Sequence, residues 1–521
     1  IQSIAIERER IKMGALKAAA IFTDHMVVQM GKPIILWGHD YSGRKITATF
    51  CGYTADTLCI DNCWKITLPP VNTYGGPYEM TLTDGDETIV FSDIMVGEVW
   101  IAGGQSNMEL ELQNEKHGAE ELEKVADSNV RFYYTKKNPY IDEFFYIDER
   151  NGGWALPSPE SARCWSAVGY YFGKKLAADL GVTVGIIGCN WGGTSASNWI
   201  DKKNLVRDID TKTYVDEYDK AMEGKTFEDY LKDLREYHEW EAEWQPKINE
   251  FYEKNPEGSW DEAQEYAGSK SRWPEPLGPK SPFRAGGLYE TMLKRIAPYG
   301  AKGFIYYQGE SDDHKPQMYE KLLKMLIAQW RYDWNDPEMP FMIVQLPMFI
   351  NRDDIDRKNW CLIREAQMNT HLTTSNTGIA VILDCGEYGN IHPVDKIPVG
   401  ERLELQAMYH TYGKIAEDEA YGPTYYRSFP EEDCFIIEFK HAKSGFDLRN
   451  EDTPSGFELA GDDKEYHPAA AQILSGGKIR LTCPNVKEPK FARFRWVNFG
   501  DVTLFGKNGL PAAPFRTSPE A

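Results

Sequence analysis

The stretch Val96-Gly97-Glu98-Val99-Trp100-Ile101-Ala102-Gly103-Gly104-Gln105-Ser106-Asn107-Met108 decides the fold class. Residues 96–102 read as a short buried strand, and the glycines after them end it in a sharp turn. Ser106 therefore falls at the carboxyl end of a strand, where open α/β sheets place their chemistry. A serine on a Gly-flanked turn exposes its Oγ and aims its own backbone N–H at an incoming carbonyl oxygen, as an acyl-transfer nucleophile requires. Gly-Gln-Ser also occurs where the serine merely caps the next helix. Taken alone, the turn leaves both readings open.

Working outward, Gly303–Tyr307 reads as a second apolar strand and delivers Gln308-Gly309-Glu310-Ser311-Asp312 to a similar turn. A third strand, 378–383, leads through a Gly-rich loop to Asn390-Ile391-His392-Pro393. A serine, an acid and a histidine that each follow a strand of one parallel sheet make a Ser-His-acid set. From 96 to 415 strands such as 182–187 and Phe341–Gln345 alternate with helical stretches, the α/β signature. Residues 1–95 instead carry β-branched runs at 34–37, 45–50 and 64–68 between turn signals, which predicts a small β-sandwich. Residues 416–521 return to short strands, at 434–439 and 478–482, and predict a second β domain.

At 521 residues the chain suggests two or three domains, and 42% hydrophobic content with 13% aromatics suffices for globular cores. A net charge of −22 argues against nucleic acid or an anionic membrane as partner, since both would repel such a surface. Nine scattered cysteines predict free thiols and a cytoplasmic location. Cys59 and Cys63 lie close together, but no second Cys or His pair completes a zinc set, so no metal is expected. Charges at Glu7, Arg8, Glu9 and Arg10 are unlike a signal peptide, and no apolar run reaches the ~18 residues a membrane span needs.

Five motifs in one order carry a family resemblance: Gly-Gln-Ser-Asn-Met at 104–108, Asn-Trp-Gly-Gly-Thr at 190–194, Tyr-Gln-Gly-Glu-Ser at 307–311, Ile-Arg-Glu-Ala-Gln at 363–367 and Ile-His-Pro at 391–393. Through them the chain resembles the SGNH hydrolases, and among these the sialate O-acetylesterase-like carbohydrate esterases. The resemblance implies a flavodoxin-like, three-layer α/β/α catalytic domain flanked by β domains. It implies hydrolysis of O-acetyl esters on a sugar or oligosaccharide through a serine acyl-enzyme, without metal or organic cofactor. Acetylated xylan, mannan or xyloglucan is the alternative substrate class. A carbohydrate-binding protein with a degenerate esterase site is the alternative function.

Carried onto this sequence, the resemblance makes Ser106 the nucleophile and His392 the base that takes its proton. Many SGNH enzymes place an Asp three residues before the histidine, where this chain has Gly389. Glu310 is the favoured third member; Asp384, Glu387, Asp395 or a backbone carbonyl are alternatives. Expected oxyanion donors are the N–H of Ser106, an N–H of Gly192 or Gly193, and the side-chain amide of Gln308. Arg364 and Glu365 read as a scaffold ion pair. Trp191 and Trp199 read as acyl-pocket walls or core. Between 203 and 280 the chain turns charged and helical, with Phe227, Leu231, Leu234, Tyr237 and Trp244 at roughly helical spacing. That stripe is either a packing face or, with Trp273-Pro274-Glu275-Pro276, a sugar-stacking platform over the site.

Overall fold

The computed structural model describes residues 16–255, 258–352, 354–432 and 434–518. Most of the segment read for a signal peptide, residues 1–15, lies outside them.

The strand expected at 96–102 is β1, Thr88–Gly104, 17 residues long. It is longer than its apolar run because its two halves have different neighbours. Residues 88–96 pair antiparallel with Gly75–Thr83, whereas residues 98–104 pair parallel with Val184–Asn190. Ser92 and Asp93, which look like a turn, form part of an irregular stretch: Asp93 has φ 54° and its carboxylate is held by His25 at 2.7 Å and Arg131 at 3.0 Å. Gly97 is required where the halves meet, since a Cβ there would lie 2.1 Å from the Thr183 carbonyl oxygen.

After β1 come α1 (Ser106–Glu109), β2 (Val130–Tyr134), α2 (Ala167–Leu180), β3 (Val184–Asn190), α3 (Phe227–Lys254), α4 (Trp260–Ala267), β4 (Gly303–Tyr307), β5 (Phe341–Gln345), α5 (Asn359–Thr373) and β6 (Thr377–Val381). The chain is a mixed, sheet-rich α/β protein that divides into two compact units. One comprises residues up to 192 with 286–306 and 327–341; the other comprises 193–285, 307–326 and 342 onward.

In the first unit the strand order is Trp154–Ala155, β2, β3, β1, β4. β3 is buried along its whole length and pairs parallel with β1 and β2 on its two sides, hence its apolar run without alternation. α2 packs on β3 through Gly169 and Gly173, where an added Cβ would sit 3.2 Å from Ile186. Ser166 caps its start by accepting the Gly169 N–H at 3.0 Å, and Gly181 ends it at φ 69°. N-terminal to this sheet, Ile34–His39 pairs with Cys63–Leu68, whose residues alternate exposed and buried.

In the second unit β5 neighbours β6. β6 stops at Val381, short of the expected 383, and a 3-10 turn at Leu383–Cys385 follows. The C-terminal strands pack around Phe435, Ile437, Phe457, Leu459 and Phe494. α3 opens with a capping box between Thr226 and Asp229. Its Trp244, Ile248 and Phe251 pack with Ala263 and Ala267 of α4, so part of the aromatic stripe is a packing face. The expected Arg364–Glu365 ion pair does not form. Arg364 is fully buried and donates to the carbonyls of Val497 and Pro347, while Glu365 pairs with Arg516 at 2.7 Å. Both residues are scaffold, because helical neighbours point different ways and each meets a different segment.

Candidate active site

The nucleophile candidate lies in the first unit. β1 ends at Gly104 with φ 139°, and the Gly104 carbonyl accepts the Trp191 N–H at 3.1 Å. Gln105 is extended and is the N-cap of α1, so Ser106 is already the first helical residue. Its hydroxyl is not the cap, and the plain capping role does not apply. Tyr134 donates to Asn190 Oδ1 at 2.5 Å and Asn190 donates to the Ala102 carbonyl at 3.0 Å, which locks the ends of β1, β2 and β3 together.

Gly192 adjoins the serine: a Cβ built on it would lie 3.4 Å from Ser106 Cβ. Its N–H, expected to face an oxyanion, donates instead to Glu109 Oε2 at 2.6 Å. Glu109 is paired with Lys137. A cleft of about 390 Å³ opens beside this pair, with Tyr134, Lys136 and Cys164 in its wall.

The Glu310 and His392 candidates lie in the second unit. Gln308 is fully buried, and its amide N–H groups donate to the Thr194 carbonyl at 3.2 Å and to Asp312 Oδ2 at 2.6 Å. Its Oε1 accepts from Tyr319 at 2.9 Å. Both amide hydrogens are committed, so the expected oxyanion role of Gln308 gives way to bracing. Asp312, given no role from sequence, is the centre of that brace. It also accepts from Ser195 Oγ at 2.6 Å, the Ala196 N–H at 3.0 Å and Tyr214 at 3.2 Å. Its spacing of four from Gln308 was the available signal.

Gly309 has φ 150° and leaves no room for a side chain: a Cβ would meet Ile363 at 2.9 Å. Glu310, next along, is 5% exposed. Burial raises the Tyr307 hydroxyl well above its ordinary pKa, and the Glu310 charge adds to the effect. Gly193, at φ 71°, lies under Trp273 of the charged insertion: a Cβ there would be 2.8 Å from Cζ2. Trp199 is fully buried and donates to Thr194 Oγ1 at 3.0 Å, which makes it core.

His392 is exposed on a loop. Its backbone N–H donates to Asn390 Oδ1 at 3.0 Å, and Glu387 holds the loop by accepting from Asn390 Nδ2 at 2.7 Å and the Val394 backbone N–H at 2.9 Å. Asp384 is bound by Arg402 at 2.5 and 2.8 Å. Glu387 and Asp384 are thus committed elsewhere. Gly389 has φ 73°, and a Cβ there would lie 2.6 Å from Arg352 Cγ, so an Asp at this position would need the Arg352 side chain to move. Among the described residues no cluster of three or more His, Cys, Asp or Glu is placed to hold a metal ion, and no helix is long and apolar enough to cross a membrane.

A family model described as carbohydrate esterase, sialic acid-specific acetylesterase matches residues 267–388. The sialate O-acetylesterase of Mus musculus is 25% identical over 431 residues, covering 76% of this chain and 73% of that protein. The Homo sapiens sialate O-acetylesterase is 22% identical over 433 residues, covering 76% and 71%. A carbohydrate acetylesterase from Xanthomonas citri matches in structure with a TM-score of 0.76 and 26% identity, over 96% of this chain and 99% of that one. By sequence and by fold, the chain is similar to sialate O-acetylesterases and to a carbohydrate acetylesterase, relatives that mark it as a carboxylic ester hydrolase.

Proposed function

We propose that the chain hydrolyses O-acetyl esters on carbohydrates through a serine acyl-enzyme, in an SGNH-type α/β/α domain at 96–415 flanked by β domains at 1–95 and 416–521. The observation that carries the reading is Ser106 as the first residue of α1, directly after the buried strand β1 and against the backbone of Gly192. A hydroxyl there is presented by rigid elements instead of a mobile loop.

In this mechanism His392 takes the Ser106 proton as Oγ attacks the acetyl carbonyl, and the tetrahedral oxyanion accepts from the Ser106 N–H. As the bond from the acetyl carbon to the sugar oxygen breaks, the imidazolium protonates that oxygen, the sugar leaves with a free hydroxyl, and acetyl-serine remains. Water deprotonated by His392 attacks that ester and releases acetate. Glu310 orients the imidazole, a role supported by the commitment of Glu387 to its own loop and of Asp384 to Arg402, with Asp395 as the remaining carboxylate alternative. The Gly192 N–H joins the oxyanion hole once Glu109 turns aside. Gly193 supplies the second backbone donor otherwise.

Acetate release is measured from O-acetylated sialic acid, acetyl-xylan and acetyl-mannan with wild type and Ser106→Ala. Wild type releases acetate from at least one, and the variant loses on the order of 10³-fold or more in kcat. Equal rates for the two proteins, or no release by either, refute the mechanism.

A further inference from the structure

The helical insertion carries more aromatic surface than its own packing uses. α3 and α4 bury Trp244, Ile248 and Phe251 against Ala263 and Ala267, yet Trp260 is 43% exposed and Trp273 56% exposed. These indoles line an open cleft of about 370 Å³, together with Trp240 and Trp244 and the polar Glu241 and Gln245. That volume falls within the roughly 300–1,000 Å³ of ligand sites. Trp240 and Trp244 lie 5.0 Å apart, and Trp260 meets Trp244 edge-on at 5.7 Å, so the three indoles form one cluster at the cleft.

Each fixed point of the cleft has its own support. Trp240 Nε1 donates to Ser269 Oγ at 3.1 Å and Trp244 Nε1 to the Ser269 carbonyl at 2.9 Å, which locks both indole planes. Tyr237 donates to Glu241 Oε1 at 3.1 Å and holds that carboxylate at the rim. A flat apolar ring next to fixed carboxylate and amide groups complements a pyranose, whose C–H faces stack on indoles while its equatorial hydroxyls donate to an acceptor. Among the described residues that line the cleft, none carries a positive charge. Arg272, nearby, is spent over the Trp240 ring at 5.2 Å. Glu241 and the net charge of −22 oppose an anionic ligand.

We infer that this cleft is a subsite for an uncharged oligosaccharide chain, which selects acetylated neutral glycans over sialic acid. The inference rests on the carbohydrate reading above. It extends that reading through Trp273, which lines the cleft and also covers Gly193.

The test titrates the full chain with unacetylated xylohexaose, mannohexaose and 3′-sialyllactose by calorimetry, and follows acrylamide quenching of tryptophan fluorescence in parallel. At least one neutral hexasaccharide binds saturably and shields the exposed indoles, and sialyllactose binds more weakly than it. Trp260→Ala raises Kd about tenfold or more, the loss expected for truncating a stacking indole, and Trp260→Phe recovers part of it. Quenching protection needs no variant and stands if Trp260→Ala fails to fold. Neutral chains that do not bind, sialyllactose that binds better, or Trp260→Ala that binds like wild type each overturn the subsite. Acetate release is scored separately: binding without release refutes the esterase reading alone, and release without binding refutes the subsite alone.

Discussion

Removing the Asp312 carboxylate tests whether the second unit's turns are held as described. Asp312 is fully buried and accepts two fixed N–H groups, from Ala196 and Gln308, on Oδ2 and two hydroxyls, from Ser195 and Tyr214, on Oδ1. In Asp312→Ala the hydroxyls rotate toward other partners, since Ser195 Oγ already lies 3.0 Å from Ser197 Oγ. The two N–H groups cannot rotate away. At about 1–3 kcal/mol for each buried donor left without an acceptor, the loss is about 2–6 kcal/mol, partly offset by relief of the carboxylate's own desolvation. Asp312→Asn keeps an oxygen toward the N–H groups and turns its amide to the hydroxyls, which can accept, so its loss is about 1–2 kcal/mol. The assay is the urea midpoint of the first unfolding transition, because a chain of two units need not unfold in one step, with amide exchange followed at 194–198. The ordering wild type, Asn, Ala in stability is the expected result. An Ala variant within about 1 kcal/mol of wild type, or an Asn variant worse than Ala, refutes the bracing role.

Gly193→Ala is expected to cost about 1–2 kcal/mol for its left-handed backbone, with the contact to Trp273 adding to it. Gly192→Ala, at an ordinary φ and with contacts no closer than 3.4 Å, leaves thermal stability nearly unchanged, and melting curves of the two variants compare them directly. Introducing the usual acid as Gly389→Asp lowers stability by about 1–2 kcal/mol, for its left-handed backbone and the displacement of Arg352, and gives no gain in kcat where Glu310 already serves the histidine; a gain in activity would falsify this. His371, held at about 4 mainly by burial and secondarily by His410, lies below the unfolded value of 6.5. The unfolded chain therefore takes up the proton first, and stability present above pH 6.5 is lost as pH falls toward 4, by about 3 kcal/mol at most. Urea midpoints at pH 7 and 4.5 measure this, and His371→Gln flattens the difference.

The strands Gly303–Tyr307, Phe341–Gln345, Lys45–Phe50 and Lys478–Thr482 have the bounds their sequence predicts. The first two are buried along their whole length and carry uninterrupted apolar runs, while Lys45–Phe50 and Lys478–Thr482 alternate, and a period of one or two survives without knowledge of the partner. β1 was legible only in its second half. Its first half contains Ser92-Asp93, and the groups that keep Asp93 inside a strand, His25 and Arg131, are 68 and 38 positions away. No local pattern records partners at that distance.

The same separation governs the site. The motifs specify turns, and Ser106, Gly193 and Gly309 occupy backbone positions that their turns predict. What a donor does in such a turn is set by its acceptor: that of Gly192 comes from 83 positions away, and of the two acceptors of Gln308 one, Thr194, comes from 114 positions away while the other, Asp312, is four residues on. Hence the shape of these turns was readable and the availability of most of their hydrogens was not. Gly389 runs the other way. As a gap in a motif it reads as a lost acid, but at φ 73° with the Arg352 side chain 2.6 Å from where a Cβ would be, the position favours glycine in this loop shape. The loop bearing His392 is built around that glycine, with Glu387 spent on holding the turn and Asp384 on Arg402. Of the carboxylates named for His392, Glu387 and Asp384 are thus spent, Asp395 follows on the same loop, and the buried Glu310 is the candidate that a separate motif supplies after β4.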